Sequence, residues 1–203
     1  FAQAMASPSH LFKFHMSEGG LRVPLIISGP GIKKGKNHNF AFVTDIAATL
    51  SDIVFDNVDE RIIGKSLQSS LAGSEEKNYL DSDSVGLEVT GNSALFKGDF
   101  KIVKNRPPNG SNQWELFNLS EDPGETINLA TSMPNKLQEL IKEYEAYAEE
   151  NGVIELPLDY EWAAEMTINT FKRNYLPLIW KAAFFIILAL SLVVVLVRRW
   201  RNS

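Results

Sequence analysis

A short apolar run at residues 21–28 is the first pattern along the chain that predicts regular structure. It follows a loop-like start, residues 1–20, and Gly29-Pro30-Gly31 ends it. A continuous apolar run of this length, bounded by turn residues, is typical of a strand that is buried on both faces. The pair Gly19-Gly20 stands just before the run and supplies backbone freedom that other residues adopt only at a cost. The pattern therefore predicts a glycine-rich turn that enters a buried strand.

The next pattern is helical and covers residues 42–54. Its apolar positions recur at the spacing of one helix face and are Ile46, Leu50, Ile53 and Val54. Thr44 or Asp45 can cap the start, because their side-chain oxygens accept backbone N–H bonds. The Asp45 carboxylate also permits a metal-ligand role, but the capping role is favoured. Basic residues in the connection before this helix, among them Lys33 and Lys34, indicate a solvated surface.

Residues 92–130 and 134–151 together predict a small sheet covered by a helix. Two β-prone runs, residues 92–96 and 100–103, flank a glycine-containing turn and predict a hairpin. Residues 114–119 alternate apolar and polar positions, which is typical of a half-buried strand. Residues 134–151 have an apolar face and a proline in the first turn, which predicts an amphipathic helix. That face carries Leu137, Leu140, Ile141, Tyr144 and Tyr147.

A long apolar segment near the C-terminus predicts a single membrane span. As a helix, residues 175–197 would extend about 35 Å, which exceeds a hydrocarbon core of about 30 Å. Lys181 interrupts the segment, but a lysine stem can carry its ammonium to the interface. Arg198-Arg199-Trp200-Arg201 follows and favours a cytoplasmic C-terminus, with the preceding domain periplasmic or otherwise extracytoplasmic. The alternative is a buried core helix, which is seldom apolar on every side over this length.

Composition narrows the class of protein. The chain has 203 residues and a formal net charge of −5, which argues against non-specific nucleic-acid binding. It has no cysteine, so it has neither a disulfide framework nor a thiolate metal site. The first residue is Phe1 and no signal-peptide pattern follows it, which favours the C-terminal portion of a longer protein over a complete small protein. No particular oligomeric state is predicted.

The segment before the apolar run resembles a motif of the sulfatase family, within the alkaline-phosphatase-like superfamily. That motif reads Lys-x-x-x-x-Glu-Gly-Gly-x-Arg-x-Pro, and it stands here as Lys13, Glu18, Gly19, Gly20, Arg22 and Pro24. Residues 6–13 are most similar to bacterial arylsulfatases. Further matches follow in the family's order: Asp45 with Thr49-Leu50, then the stretches 64–67, 98–102, 114–119, 122–125 and 128–130.

The resemblance implies an α/β fold, namely the C-terminal part of the sulfatase or alkaline-phosphatase-like fold. This part comprises the end of the large mixed sheet and a small antiparallel sheet with a packed helix, and one transmembrane helix follows it. The expected parts are residues 1–78, 79–157, the junction 158–174, the span 175–197 and the basic tail 198–203. Glu121, Asp122 and Glu125 are expected to form a turn, since they lack the alternating spacing of a calcium loop.

The resemblance also implies chemistry. Sulfatases hydrolyse sulfate esters with a formylglycine nucleophile and Ca²⁺, and both come from segments absent from this sequence. Lys13 matches the family's sulfate-contacting lysine, which implies a catalytic and substrate-binding role. A fixed cation of this kind stabilises the charge that develops as the S–O bond breaks. Glu18 and Arg22 are expected to brace the turn as an ion pair. His10 and His15 match no catalytic histidine of the family.

Three functions remain open on the sequence. The leading one is the C-terminal part of a membrane-anchored, arylsulfatase-type sulfuric ester hydrolase that acts on a sulfate-ester small molecule. The second is a phosphodiesterase or phosphonate hydrolase of the same superfamily. The third is a non-catalytic interaction module that the C-terminal helix tethers to a membrane. Because the nucleophile and calcium-ligand motifs are missing, the 203-residue chain alone is expected to be inactive.

Overall fold

The structure, a computed structural model, describes residues 1–202 and divides into two compact units. The first unit is Phe1–Glu155 and the second begins at Leu156. The helices are α1 (Ala2–Ala6), α2 (Glu18–Leu21), α3 (Asp45–Phe55), α4 (Gln68–Leu71), α5 (Pro134–Glu150), α6 (Trp162–Asn174) and α7 (Leu176–Arg201). The strands are β1 (Ser84–Val89), β2 (Asn92–Lys97), β3 (Phe100–Lys104) and β4 (Glu115–Asn118).

The four strands form one antiparallel sheet in the order β1-β2-β3-β4. The predicted hairpin is confirmed as β2 and β3, with Gly98 at a φ of 57° in the turn between them. The predicted strand over residues 114–119 is confirmed as β4, and β1 adds a strand that the pattern did not predict. Since alternate residues of a strand point to opposite faces, each strand contributes side chains to both sides of the sheet.

Helix α5 covers one face of the sheet. Its buried Leu140 and Tyr144 pack against Leu95, Ile102 and Leu116, which are fully buried. The Tyr144 hydroxyl donates a hydrogen bond to the Ser93 Oγ at 2.8 Å, so its polar end is also satisfied. The predicted amphipathic helix and its apolar face are therefore confirmed.

The N-terminal segment covers the opposite face of the sheet. Met16 is buried there against Ala94, Val103 and Phe117. The sheet thus has a cover on both sides, and one cover contains the segment that holds the Lys-x-x-x-x-Glu-Gly-Gly motif. This packing decides which side chains surround that motif.

The prediction of a buried strand over residues 21–28 is wrong for this structure. Leu21 closes α2, and residues 22–29 have no regular secondary structure. Val23 and Ile26 are 77% and 90% exposed. A strand requires partners for its N–H and C=O groups, and the strands described in residues 1–202 pair only with one another. The apolar run is therefore present without the sheet that would bury it.

Helix α3 is confirmed as a helix, but its predicted apolar face is not buried. Leu50 and Ile53 are more than half exposed, whereas the buried residues of the helix are Asp45, Ala48 and Thr49. The helix therefore packs on the rest of the first unit through its small and polar side, and its apolar side faces solvent.

The predicted cap of α3 is wrong, because the Thr44 side chain makes no capping hydrogen bond and Asp45 is itself the first helical residue. The buried Asp45 carboxylate instead accepts hydrogen bonds from the Phe42 and Lys65 N–H groups, at 2.6 and 2.8 Å, and from the Tyr79 hydroxyl at 2.5 Å. Burial, and then the bond to Asp45, raise the pKa of Tyr79. Asp45 therefore ties the start of α3 to the turn at Lys65, which is a structural role.

The second unit contains α6 and α7. Within residues 1–202, the stretch Trp162–Arg201 is the one helical segment long and apolar enough to cross a membrane. The predicted span lies inside it, and α7 continues to Arg201. Its helical structure is thus confirmed. Its insertion in a membrane and the boundaries between the five expected parts of the chain remain predictions.

Candidate functional site

Lys13 is an exposed residue on a partly buried loop of the first unit. Its ammonium stands 4.8 Å from the centre of the Phe14 ring, a cation–π contact. Within residues 1–202 no carboxylate forms an ion pair with it. Leu11 and Phe14, on either side, have positive φ angles of 57° and 78°. The loop therefore presents a cation to solvent whose charge is not compensated by a neighbouring acid.

Two asparagine side chains, one in β2 and one directly after β3, fix the backbone of this loop. The Asn92 amide donates to the Phe14 carbonyl at 2.7 Å. The buried Asn105 accepts a hydrogen bond from the Met16 N–H at 2.8 Å and donates to the Ser17 Oγ at 3.0 Å. These bonds hold Phe14, Met16 and Ser17, all shortly after Lys13, so its position depends on the sheet as well as on the loop.

His15 has a structural role in the same loop. Its buried ring makes hydrogen bonds with the Phe12 carbonyl through Nδ1, at 2.9 Å, and with the Asn109 amide through Nε2, at 3.1 Å. A carbonyl only accepts and an amide NH₂ only donates, so Nδ1 donates and Nε2 accepts. The ring therefore joins two loops, while His10 is exposed.

A buried ionic cluster underlies the loop and consists of Glu18, Lys101 and Glu125. The Lys101 ammonium is fully buried and contacts the Glu18 Oε1 at 2.9 Å and the Glu125 Oε1 at 2.7 Å. The Glu125 Oε2 also accepts the Glu18 N–H at 2.8 Å. The cluster joins three parts of the chain: the end of the Lys13 loop, strand β3 and the turn after β4.

The expected brace between Glu18 and Arg22 is only a secondary contact. Arg22 is exposed and its nearest guanidinium nitrogen is 3.9 Å from the Glu18 carboxylate. Exposed pairs of this kind contribute about 0–1 kcal/mol, whereas the Lys101 contact is closed to solvent. The main partner of Glu18 is therefore Lys101, which the sequence did not indicate.

The glycine pair is required by close approach and not by an unusual φ angle. A Cβ on Gly19 would lie 2.0 Å from the Leu11 carbonyl oxygen, and one on Gly20 would lie 2.2 Å from the His15 carbonyl oxygen. Neither glycine has a positive φ. The Gly19 N–H donates to the His10 carbonyl at 2.8 Å. The sequence predicted that glycine is needed here for backbone freedom. In the structure it is needed because α2 lies so close to the loop before it that a side chain would not fit.

No metal site is formed by the residues that the structure describes. Within residues 1–202 no three His, Asp or Glu side chains are arranged to hold an ion. The Asp122 carboxylate accepts the Thr126 and Ile127 N–H groups at 2.7 and 2.8 Å, which is the turn role predicted for it. Asp45 likewise has its donors within the protein. These residues do not fit calcium, so a calcium ion would need ligands from other segments.

The carboxyl group of Glu115 leads to a prediction about how the stability of the fold depends on pH. It lies on the sheet face that carries Lys101, and burial raises the pKa of its carboxyl; His10 opposes this effect and Glu125 adds to it. The folded state therefore keeps its proton to a higher pH than the unfolded state does. Stability falls as the pH rises from the ordinary glutamate pKa through the raised pKa.

We expect Glu115→Gln to increase the thermal stability of the chain at pH 7 and to leave it unchanged below the ordinary glutamate pKa. Thermal unfolding in detergent, followed by circular dichroism from pH 3 to pH 8, measures this difference. Asp83→Asn is the matched control and is expected to lower the thermal stability at pH 7, since the hydrogen bond from Lys65 lowers the pKa of Asp83. A stabilisation by Glu115→Gln that is the same at every pH would contradict the assignment.

Comparison with known proteins gives a consistent family. Residues 9–150 match the family model described as N-sulphoglucosamine sulphohydrolase, C-terminal. An uncharacterized sulfatase of Schizosaccharomyces pombe is 32% identical over 181 residues, covering 79% of this chain and 31% of that protein. Arylsulfatase K of Xenopus laevis is 29% identical over 142 residues, covering 64% of this chain and 26% of that protein. The chain thus spans about a third or less of these relatives.

Solved structures show the same fold. The crystal structure of Ps i-CgsB superposes with a TM-score of 0.61 at 18% identity and covers 84% of this chain and 38% of that chain. A Bacteroides thetaiotaomicron protein of glycosaminoglycan metabolism superposes with a TM-score of 0.56 at 21% identity, covering 66% and 31%. The predicted fold class, the C-terminal part of the sulfatase fold with its small antiparallel sheet, is therefore confirmed.

Proposed function

Because the chain belongs to the sulfatase family, as a C-terminal domain of the N-sulphoglucosamine sulphohydrolase type, we propose that it is the C-terminal part of an arylsulfatase-type sulfuric ester hydrolase. The observation that carries this proposal is the exposed Lys13, which has no acidic partner in residues 1–202 and whose loop is bound to the sheet. The formylglycine nucleophile and Ca²⁺ would come from segments that this sequence lacks.

Lys13 would bind the sulfate group of a small-molecule ester. An ammonium can contact the non-bridging sulfate oxygens and the ester oxygen that becomes the leaving group. Negative charge grows on that oxygen as the S–O bond breaks, and a cation held in place before the reaction stabilises it without reorganisation. The hydrogen bonds to Phe14 and Met16 support this proposal because they fix the backbone next to Lys13.

The exposed apolar surfaces support a larger catalytic domain. Residues 22–27 and the outer face of α3 present Val23, Ile26, Leu50 and Phe55 to solvent. Soluble proteins seldom leave contiguous apolar surface uncovered, so these positions are typical of a contact with further structure. We propose that these two surfaces contact the preceding part of the enzyme.

We also propose that α7 spans a membrane once, with the C-terminus in the cytoplasm and the first unit on the other side. Its length and largely apolar surface support the span, and Arg198, Arg199 and Arg201 support the orientation. The protein should remain in the membrane fraction after alkaline carbonate washing, and a chain ending at Glu155 should be released. An enzyme reporter fused to the C-terminus that is active only outside the cytoplasm would refute the orientation.

The activity is tested with the product of the whole reading frame that contains residues 1–203. We expect it to release 4-nitrophenol from 4-nitrophenyl sulfate in the presence of Ca²⁺, and residues 1–203 alone to release none. Hydrolysis of bis(4-nitrophenyl) phosphate or a phosphonate ester, without sulfate-ester hydrolysis, would favour the phosphodiesterase alternative. Turnover of neither class of ester would favour a membrane-tethered interaction module.

A further inference from the structure

Lys101 is a charged side chain that the proposed chemistry does not use and that is nevertheless fully buried. It points from β3 into the sheet face covered by the N-terminal segment, next to the Phe96 ring, whose centre is 4.8 Å from its ammonium. Removing an ion from water costs several kcal/mol unless close partners compensate. Its two partners, Glu18 and Glu125, belong to segments that are remote in sequence.

We infer that Lys101 is a positioning residue for Lys13, acting through Glu18, an inference that rests on the function proposed above. Glu18 follows the loop that contains Lys13 and is the first residue of α2. Its side chain is bound by Lys101 and its backbone N–H by Glu125. The end of the loop is therefore fixed at two points by the same cluster.

The loop is also closed at its base, which transmits this constraint to Lys13. The Gly19 N–H donates to the His10 carbonyl at 2.8 Å, so the residues on both sides of Lys13 converge beside Glu18. Moving Glu18 would thus move both ends of a short closed loop. A displacement of about 1 Å at a catalytic group can reduce the rate of reaction by about a hundredfold.

An ionic cluster specifies this geometry in a way that apolar contacts would not. Hydrophobic contact is non-directional, whereas the hydrogen bonds from the Lys101 ammonium fix where two carboxylates stand. Lys101→Met keeps a long unbranched side chain but leaves Glu18 and Glu125 close together without their shared cation. Their repulsion is expected to shift α2 and the loop before it, and so the Lys13 ammonium.

The alternative is that the cluster only stabilises the fold. A double-mutant cycle separates the two roles, because residues that act through one another give non-additive effects. If Lys101 acts through Lys13, its replacement has little effect once Lys13 is gone. If it acts only on stability, its replacement changes the activity of the folded protein by the same factor, close to one, in either background.

The experiment compares wild type, Lys13→Ala, Lys101→Met and the double variant, each made from the whole reading frame. We measure kcat and KM for 4-nitrophenyl sulfate at a temperature at which circular dichroism shows all four folded. We expect Lys101→Met to lower kcat/KM about tenfold to a hundredfold, mainly through kcat, in the presence of Lys13. In the Lys13→Ala background we expect less than about a twofold further change.

Lys97→Met is the matched control, since Lys97 lies in the same sheet but pairs with Glu143 of α5 on the opposite face. We expect it to show no coupling to Lys13. If Lys101→Met does not fold, Glu125→Gln replaces it in the cycle, because the amide can still accept the Glu18 N–H while one buried charge is removed.

Two results would overturn the inference and are distinguishable. Equal factors for Lys101→Met in both backgrounds, including no change in either, would leave the role of Lys13 intact and reduce Lys101 to a structural residue. Normal kinetics of Lys13→Ala would refute the proposed role of Lys13 itself, and the positioning role would be lost with it.

Discussion

Lys13→Ala is expected to lower kcat/KM for 4-nitrophenyl sulfate by about 10²–10³-fold in the product of the whole reading frame. This is the usual loss when one preorganised group that stabilises developing negative charge is removed. The effect should appear in kcat as well as in KM, because charge on the leaving oxygen is greatest in the transition state. Steady-state kinetics of the purified variant give both constants.

The fold should be unaffected by this substitution. Lys13 is exposed and its only described contact is with the Phe14 ring, so the free energy of unfolding should change by less than about 0.5 kcal/mol. Lys34→Ala is the matched control, since Lys34 is also an exposed loop lysine of the first unit. Kinetics of Lys13→Ala within twofold of the control would show that this ammonium does not take part in turnover.

Elements that find their packing partner within the chain were predictable from the sequence. The apolar face of α5 and the hairpin of β2 and β3 pack on each other, so local periodicity and the buried surface agree. The run at residues 21–28 has the same kind of local signal, but a strand forms only against another strand. The sequence shows which residues are apolar, but it does not show which surface buries them.

The ionic cluster could not be predicted, because its burial depends on contacts that are distant in sequence. Lys101 stands between Phe100 and Ile102, a position that in an isolated hairpin would be the solvated face of a half-buried strand. Glu18, its partner, is 83 residues away. Only a sheet covered on both faces converts this lysine from a surface residue into a buried one that requires two carboxylates.

The glycine pair shows that a family motif can be recognised without knowing its physical cause. The motif predicted Gly19-Gly20 correctly as a special position but for a reason that the φ angles do not support. The actual constraint is steric, because α2 folds back onto the carbonyl groups of the loop that carries Lys13. A steric requirement of this kind implies a large and specific mutational effect.

Gly19→Ala is accordingly expected to destabilise the chain by more than about 4 kcal/mol, or to prevent folding of the first unit. The added methyl group would lie 2.0 Å from the Leu11 carbonyl oxygen, 2.6 Å from the His10 carbonyl oxygen and 2.8 Å from the Leu11 carbonyl carbon. These are backbone atoms, so no side-chain rotation relieves the overlap. The Gly19 N–H bond to His10 would be lost as the loop opened.

Gly35→Ala is the matched control, because a Cβ at Gly35 meets nothing within 4 Å and its φ is not positive. Alanine at this position should be neutral or should stabilise the fold by up to about 1 kcal/mol, because it reduces the conformational entropy of the unfolded chain. Thermal unfolding of both variants in detergent measures the contrast. Similar melting temperatures would mean that α2 can separate from its loop without cost. In that case the closed loop, the burial of Glu18 and the fixed position of Lys13 would all lose their structural basis.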